Sequence, residues 1–244
     1  MRMIAVALVT IIVTACGDDP APPHYGYEIH QNPGVPEYGL IARGSSLAIV
    51  LASDIDMSLT GNDKLTISQE LAHAGFSVAS LDLPSHHAGE EPPGLDGWRR
   101  RIDAGETGIF TSFCDDVSAV LDDLHATRVT VVGISRGGYV AAVCAARDER
   151  IQSIALLAPV TDLMRLREFS GAMLDPAIYG LAQYVPILAT RPVLVRIGVN
   201  DQRVGTNAAV AFAHSIGAKV ELVKADGHIV KDRGDTARWV LAHR

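Results

Sequence analysis

The chain has no surplus of positive charge. Its 21 lysines and arginines face 28 aspartates and glutamates over 244 residues, a formal net charge of −7, so it lacks the basic stripe that a phosphate-backbone binder needs, and nucleic acid is excluded as a partner. Long hydrophobic runs are missing as well: the apolar stretch Ile4 to Val13 is only ten residues, about half of the roughly 20 that span a bilayer as a helix. No internal repeat occurs, and no low-complexity segment beyond a short polar, proline-bearing stretch from Gly17 to Pro23. Cysteine is scarce, with three in all. Cys114 and Cys144 lie in helically patterned segments, where a free cysteine serves as a small buried hydrophobe. Neither stands at a strand end beside an acid or base, so neither reads as catalytic, and whether they bridge depends on a Cα separation the sequence does not give. What is present, 48% hydrophobic residues, suffices for one α/β domain with a large core.

The N-terminus reads as an export signal. Arg2 supplies the positive n-region, Ile4 to Val13 the apolar h-region, and Val13-Thr14-Ala15-Cys16 follows directly. The last four residues resemble the lipobox of bacterial lipoproteins. The resemblance implies cleavage before Cys16 and a lipid anchor on its thiol, with residues 1–15 as signal peptide, 16–24 as tether and 25–244 as the folded domain. Each buried methylene adds about 0.8 kcal/mol of membrane affinity, so two or three acyl chains of palmitate length hold a domain stably where one does not. The expected location is the periplasmic or cell-surface side of a bacterial membrane.

Along the domain, short strand-like runs at 25–30, 38–43 and 47–51 give way to strands alternating with helices. Helical spacing at 63–74, 107–126, 137–147, 206–216 and 232–243 alternates with strands at 76–81, 129–132, 151–157, 193–197 and 219–224. Strands apolar on both faces and separated by helices predict a mostly parallel sheet covered on both sides. Two irregular stretches stand out. Residues 82–103 form a Pro/Gly-rich loop leaving the C-terminal end of a strand, where open α/β sheets place ligands, and Trp98 with Arg99, Arg100 and Arg101 reads there as a pocket entrance or an exposed basic turn. Residues 161–191 have room for two or three short helices, a minimal cap.

Chemistry concentrates at Gly133-Ile134-Ser135-Arg136-Gly137-Gly138, where a β-branched strand breaks, presents one serine and restarts as a helix. That is the context of a G-x-S-x-G nucleophile elbow. Such a serine needs a base to take its proton and an acid to orient the base. Asp201 follows the strand at 193–197 and His228 follows the last strand, so the chain order is Ser, Asp, His.

With these residues in that order, the chain from about Tyr25 onward resembles an α/β-hydrolase-fold serine hydrolase of the dienelactone-hydrolase and small-esterase branch. The resemblance implies Ser135 as nucleophile, His228 as base and Asp201 as its orienter. It also implies a small-molecule carboxylic ester as substrate and an acyl-enzyme mechanism, without cofactor. A peptidase or thioesterase could use the same triad, and a surface-anchored binding protein could retain the fold without activity.

The rivals are specific. His86 and His87 compete with His228, and Asp162 and Asp226 compete with Asp201. Arg136 reads as pairing inward with a structural acid such as Asp162, the alternative being a substrate carboxylate. Leu81-Asp82-Leu83-Pro84-Ser85-His86 resembles the D-x-P-G-H-G loop of many family members, with Ser85 replacing glycine. One oxyanion donor is expected to be the Arg136 N–H. The other normally comes from a His-Gly segment after the third strand, which here reads Leu51-Ala52-Ser53-Asp54-Ile55-Asp56, leaving the N–H of Ser53 or Asp54. Asp54 and Asp56 read as solvated turn residues, so no metal is assigned.

Overall fold

A computed structural model of the chain describes residues 24–61, 66–224, 227–228 and 234–244. The expected signal segment, Cys16, the tether up to residue 23 and Asp226 lie outside the described residues.

The elements follow in order: β1 (Glu28–His30), β2 (Tyr38–Ile41), β3 (Ser46–Leu51), α1 (Ile55–Leu59), α2 (Ile67–His73), β4 (Phe76–Ser80), α3 (Gly94–Asp103), α4 (Ile109–Asp123), β5 (Val129–Ile134), α5 (Arg136–Arg147), β6 (Ile151–Leu157), α6 (Pro176–Tyr179), α7 (Val185–Leu188), β7 (Val193–Gly198), α8 (Thr206–Ser215), β8 (Lys219–Val223) and α9 (Asp235–Ala242). Eight strands form one sheet in the order β1-β2-β4-β3-β5-β6-β7-β8. β2 runs antiparallel to both of its neighbours, and every other pair is parallel. The inner strands are apolar because both of their faces are covered: every residue of β5 and β7 is buried, and every residue of β6 except Gln152. α4, α5 and α8 pack on one face and α1, α2 and α9 on the other.

The order fixes where a site can form. From β3 the chain winds outward through β4 on one side and through β5, β6, β7 and β8 on the other. The direction of winding therefore reverses between β3 and β5, and the loops leaving their C-terminal ends diverge to opposite faces and open a crevice.

Several expectations need correction. The irregular stretch 82–103 contains a helix, α3, whose Leu95, Trp98 and Ile102 at helical spacing are buried. Trp98 is accordingly no entrance residue: it is fully buried, its ring meets Phe110 edge-on with centroids 4.8 Å apart, and its Nε1–H donates to the Pro84 carbonyl. Asp54 is no solvated turn residue but the N-cap of α1, accepting the Met57 N–H at 2.7 Å, while Asp56 accepts the Tyr27 hydroxyl at 3.1 Å. The cap at 161–191 consists of five single-turn pieces, the longest of four residues: α6, α7 and 3₁₀ turns at Leu163–Arg165, Arg167–Phe169 and Leu181–Tyr184.

Cys114 of α4 and Cys144 of α5 are not free hydrophobes. They form a disulfide, with Cα atoms 4.8 Å apart, that ties together two helices covering the same face. Crosslinking residues 30 apart removes unfolded-chain entropy worth about 3.6 kcal/mol. Replacing both cysteines by alanine is expected to lower the unfolding free energy by about that amount in denaturant melts. Two titratable thiols in the unfolded, unreduced wild-type domain would contradict the bridge.

Candidate active site

Ser135 sits at the C-terminal end of β5 with φ 55° and ψ −116°. A residue with a side chain adopts this left-handed region only when its surroundings over-determine it. Here the Ser135 N–H donates to the Leu157 carbonyl at 2.9 Å, and its carbonyl accepts from Gly138 at 3.0 Å and Val160 at 2.9 Å. The flanking glycines explain why the sequence can bend so sharply. A Cβ at Gly137 would lie 1.9 Å from the Leu51 carbonyl oxygen of β3, one at Gly133 2.6 Å from atoms of Gly137, Gly138 and Ala141, and one at Gly138 2.7 Å from Pro159. α5 thus leaves the elbow in direct backbone contact with β3.

The structure brings Ser135, His228 and Asp201 together. Ser135 Oγ is 2.7 Å from His228 Nε2, and His228 Nδ1 is 2.8 Å from Asp201 Oδ2. Chemistry fixes the roles within this chain of bonds: a carboxylate only accepts, so Nδ1 carries the proton and Nε2 is left to accept from the serine hydroxyl. The Asp201 side chain is wholly buried, a position a carboxylate tolerates only when its oxygens are satisfied. Oδ1 accepts the backbone N–H groups of Arg203 at 2.9 Å and Val204 at 3.1 Å, leaving Oδ2 for the imidazole. Thr206 braces the turn, accepting the Asp201 N–H at 2.9 Å and donating to the Gly198 carbonyl at 2.6 Å. Farther along, Arg196 of β7 ties β8 and α9 together through Glu221 at 3.1 Å and Asp235 at 2.8 Å, bracketing the segment that carries His228.

The rivals fall elsewhere. Asp162 caps a 3₁₀ turn through the Met164 N–H at 2.9 Å and faces Arg165 at 3.7 Å. His87 is exposed and pairs with Asp82 at 3.2 Å. His86 turns toward Arg136, with Nε2 2.9 Å from the guanidinium Nη1. The expected pairing of Arg136 with Asp162 is therefore corrected: its partner is a histidine that sequence reasoning had not joined to it. Ser85, where the resembling loop has glycine, adopts φ 59° and is buried, so the glycine's conformation persists without the glycine.

Beside the elbow, Leu51 pairs with Gly133, and the chain continues past it through Ala52 to Ser53 and Asp54. The Ala52 N–H donates to Ser58 Oγ at 3.1 Å, and the Ser53 carbonyl accepts from Leu83 at 2.8 Å. The N–H groups of Ser53 and Asp54 find no hydrogen-bond partner among the described residues. Arg136 is the first residue of α5, where the N–H is among those a helix leaves without an internal partner. Among the described residues no three His, Cys, Asp or Glu side chains group as a metal site would need.

The architecture is that of the α/β-hydrolase fold. A family model described as the alpha/beta hydrolase fold matches residues 59–177. Among solved structures, the esterase Pf2001 of Pyrococcus furiosus superposes with a TM-score of 0.63 at 15% identity, over 89% of this chain and 90% of that one. Est1E of Butyrivibrio proteoclasticus gives 0.59 at 17% identity, over 89% and 98% of the two chains. The thioesterase domain from the curacin biosynthetic pathway gives 0.58 at 14% identity, over 89% and 99%. No curated protein sequence matches the chain significantly.

Since α5 passes within contact of β3 only because residue 137 has no side chain, Gly137→Ala is expected to destabilise the fold by about 2 kcal/mol or more, the range for a core forced to accept extra atoms. A chemical denaturation midpoint equal to that of wild type would mean that helix and strand are not in contact.

Proposed function

We propose that the protein is a serine hydrolase that cleaves a carboxylic ester through an acyl-enzyme. The observation that carries the reading is the unbroken line Ser135 Oγ, His228 Nε2, His228 Nδ1, Asp201 Oδ2 at 2.7 and 2.8 Å, starting from a serine held in a left-handed conformation at the sheet's switch point. Ser135 Oγ attacks the carbonyl carbon as its proton passes to His228 Nε2. The Asp201 carboxylate stabilises the imidazolium through Nδ1–H. The charge developing on the carbonyl oxygen is met by the Arg136 N–H and by that of Ser53 or Asp54, donors already in place that cost no reorganisation. Collapse breaks the C–O bond to the alcohol, which takes the proton from Nε2. A water then gives its proton to Nε2 and attacks the acyl carbon; the C–Oγ bond breaks, Oγ takes the proton back from Nε2, and the acid and free Ser135 are released.

The esterase and thioesterase neighbours support a hydrolytic reading. Their identity, below 20%, leaves the choice between oxygen ester and thioester to experiment. A peptidase would run the same steps. A non-catalytic binding role is disfavoured, because a chain without chemistry has no use for a buried carboxylate aligned on an imidazole that meets a strained serine. Ser135→Ala is expected to lower turnover of a para-nitrophenyl ester by roughly 10⁴-fold or more, and Asp201→Asn by orders of magnitude, with both variants folded. Asp162→Asn is expected to change stability alone. Retained turnover in folded Ser135→Ala would overturn the reading, and loss in Asp162→Asn without loss in Asp201→Asn would move the acid.

Export and anchoring through a lipid on Cys16 complete the proposal. The lipobox-like run supports it, and the buried Cys114–Cys144 bridge fits an oxidising compartment. Cys16→Ser is expected to shift the protein from the membrane fraction to the soluble or uncleaved pool. An unmodified mature N-terminus at another residue, read by mass spectrometry, would remove the anchor.

A further inference from the structure

Arg136 occupies a position that disfavours a cation on several counts. It is the first residue of α5, at the positive end of that helix's dipole. Its Nη1 lies where a Cβ on Gly94, the first residue of α3, would approach to 3.0 Å, so the guanidinium rests against a second helix N-terminus. Burial and the charge of Arg203 both lower its pKa. Among the described residues no carboxylate bonds to it, and its hydrogen-bond partner there is His86.

His86 holds the guanidinium without neutralising it. His86 Nδ1 is 2.8 Å from the Pro84 carbonyl, which can only accept, so Nδ1 bears the proton and Nε2 accepts from Arg136. Burial, joined by the charge of Arg136 and opposed by the Pro84 hydrogen bond, lowers the His86 pKa and so favours the neutral ring. Glu168 is the acid whose field reaches Arg136, but its Oε1 accepts from Arg203 at 2.7 Å and Arg167 at 3.2 Å. Among the described residues the charge of Arg136 is thus left without a bonded acid, on the residue after Ser135, with donors unused and its orientation set by His86 and by the bare backbone of Gly94. A sequence keeps a cation in so unfavourable a place when something negative binds there.

We propose that the Arg136 side chain selects substrates, by binding a free carboxylate carried on the ester. The planar guanidinium offers such a group two parallel N–H donors, which a lysine cannot reproduce. This rests on the esterase reading and deepens it: the substrate class becomes monoesters of dicarboxylic acids, or esters of hydroxy acids, in place of plain alkyl esters.

The test compares para-nitrophenyl hemiglutarate with para-nitrophenyl butyrate, similar acyl chains with and without a terminal carboxylate. The wild type is expected to show the higher kcat/KM on the hemiglutarate. In Arg136→Gln, which keeps the backbone N–H, the ratio of kcat/KM between the two esters is expected to fall at least tenfold, and Arg136→Lys to recover it in part. Glutarate is expected to raise the thermal midpoint of the wild type and not that of Arg136→Gln, whose own midpoint without ligand lies above the wild type's. A ratio unchanged in Arg136→Gln, with both esters still hydrolysed, would overturn this inference and leave the esterase reading standing. Hydrolysis of neither ester by the wild type would overturn both.

Discussion

At Ser135 the chain must pass from the central strand of the sheet into a helix with its backbone at φ 55°, and the rest of the molecule is arranged so that it can. The conformation costs of order 1–3 kcal/mol. It is held by hydrogen bonds from both sides of the elbow, to the end of β6 and to the residues just beyond it. It also requires α5 to leave at once across β3, which only a bare backbone at 133, 137 and 138 permits. The same close passage sets the end of β3 and the Ala52 backbone against the start of α5. Elbow strain and the missing side chains are therefore one constraint.

Around that point the electrostatics are graded. Asp201 is wholly buried and satisfied by backbone N–H groups, so its remaining oxygen has only the imidazole to serve, and His228 is set in one tautomer. On the far side of the nucleophile, His86 is set in its tautomer by the Pro84 carbonyl and holds Arg136 while staying neutral. Two histidines, each fixed by what its Nδ1–H meets, turn Nε2 to opposite partners: one to the Ser135 hydroxyl, the other to the Arg136 guanidinium. The geometry of both derives from loops at the C-terminal edge of a parallel sheet, where the switch between β3 and β5 opens the crevice.

What the sequence disclosed follows from how local each signal is. The elbow is a local pattern, five residues whose glycines and β-branched strand carry their own reason, and Ser135 was legible from it. Asp201 and His228 were legible as polar residues following the last two strands in the right order, and the structure joins them to the serine. The eight-strand sheet could be anticipated in kind because inner strands covered on both faces are mostly apolar. α3 was hidden because Pro92, Pro93 and Gly94 dominate a local reading, while Leu95, Trp98 and Ile102 declare a helix only once α4 is packed against them. The disulfide was unreadable for the same reason, since helix packing alone brings Cys114 within 4.8 Å of Cys144. Arg136 misled because an arginine is expected to find an acid. The fold gives Asp162 to a turn and Glu168 to Arg203, and it brings His86 across from a loop whose path no spacing rule foretells.

The most direct test of the central claim, that Ser135 is activated by His228 and Asp201, is reaction of the full chain with a fluorophosphonate followed by mass spectrometry of its peptides. Such reagents acylate-mimic only a serine whose proton is removed as it attacks, so the account predicts a single phosphonyl adduct on the peptide containing Ser135, strongly slowed in Asp201→Asn. An unlabelled folded protein, or an adduct on another serine, would contradict it.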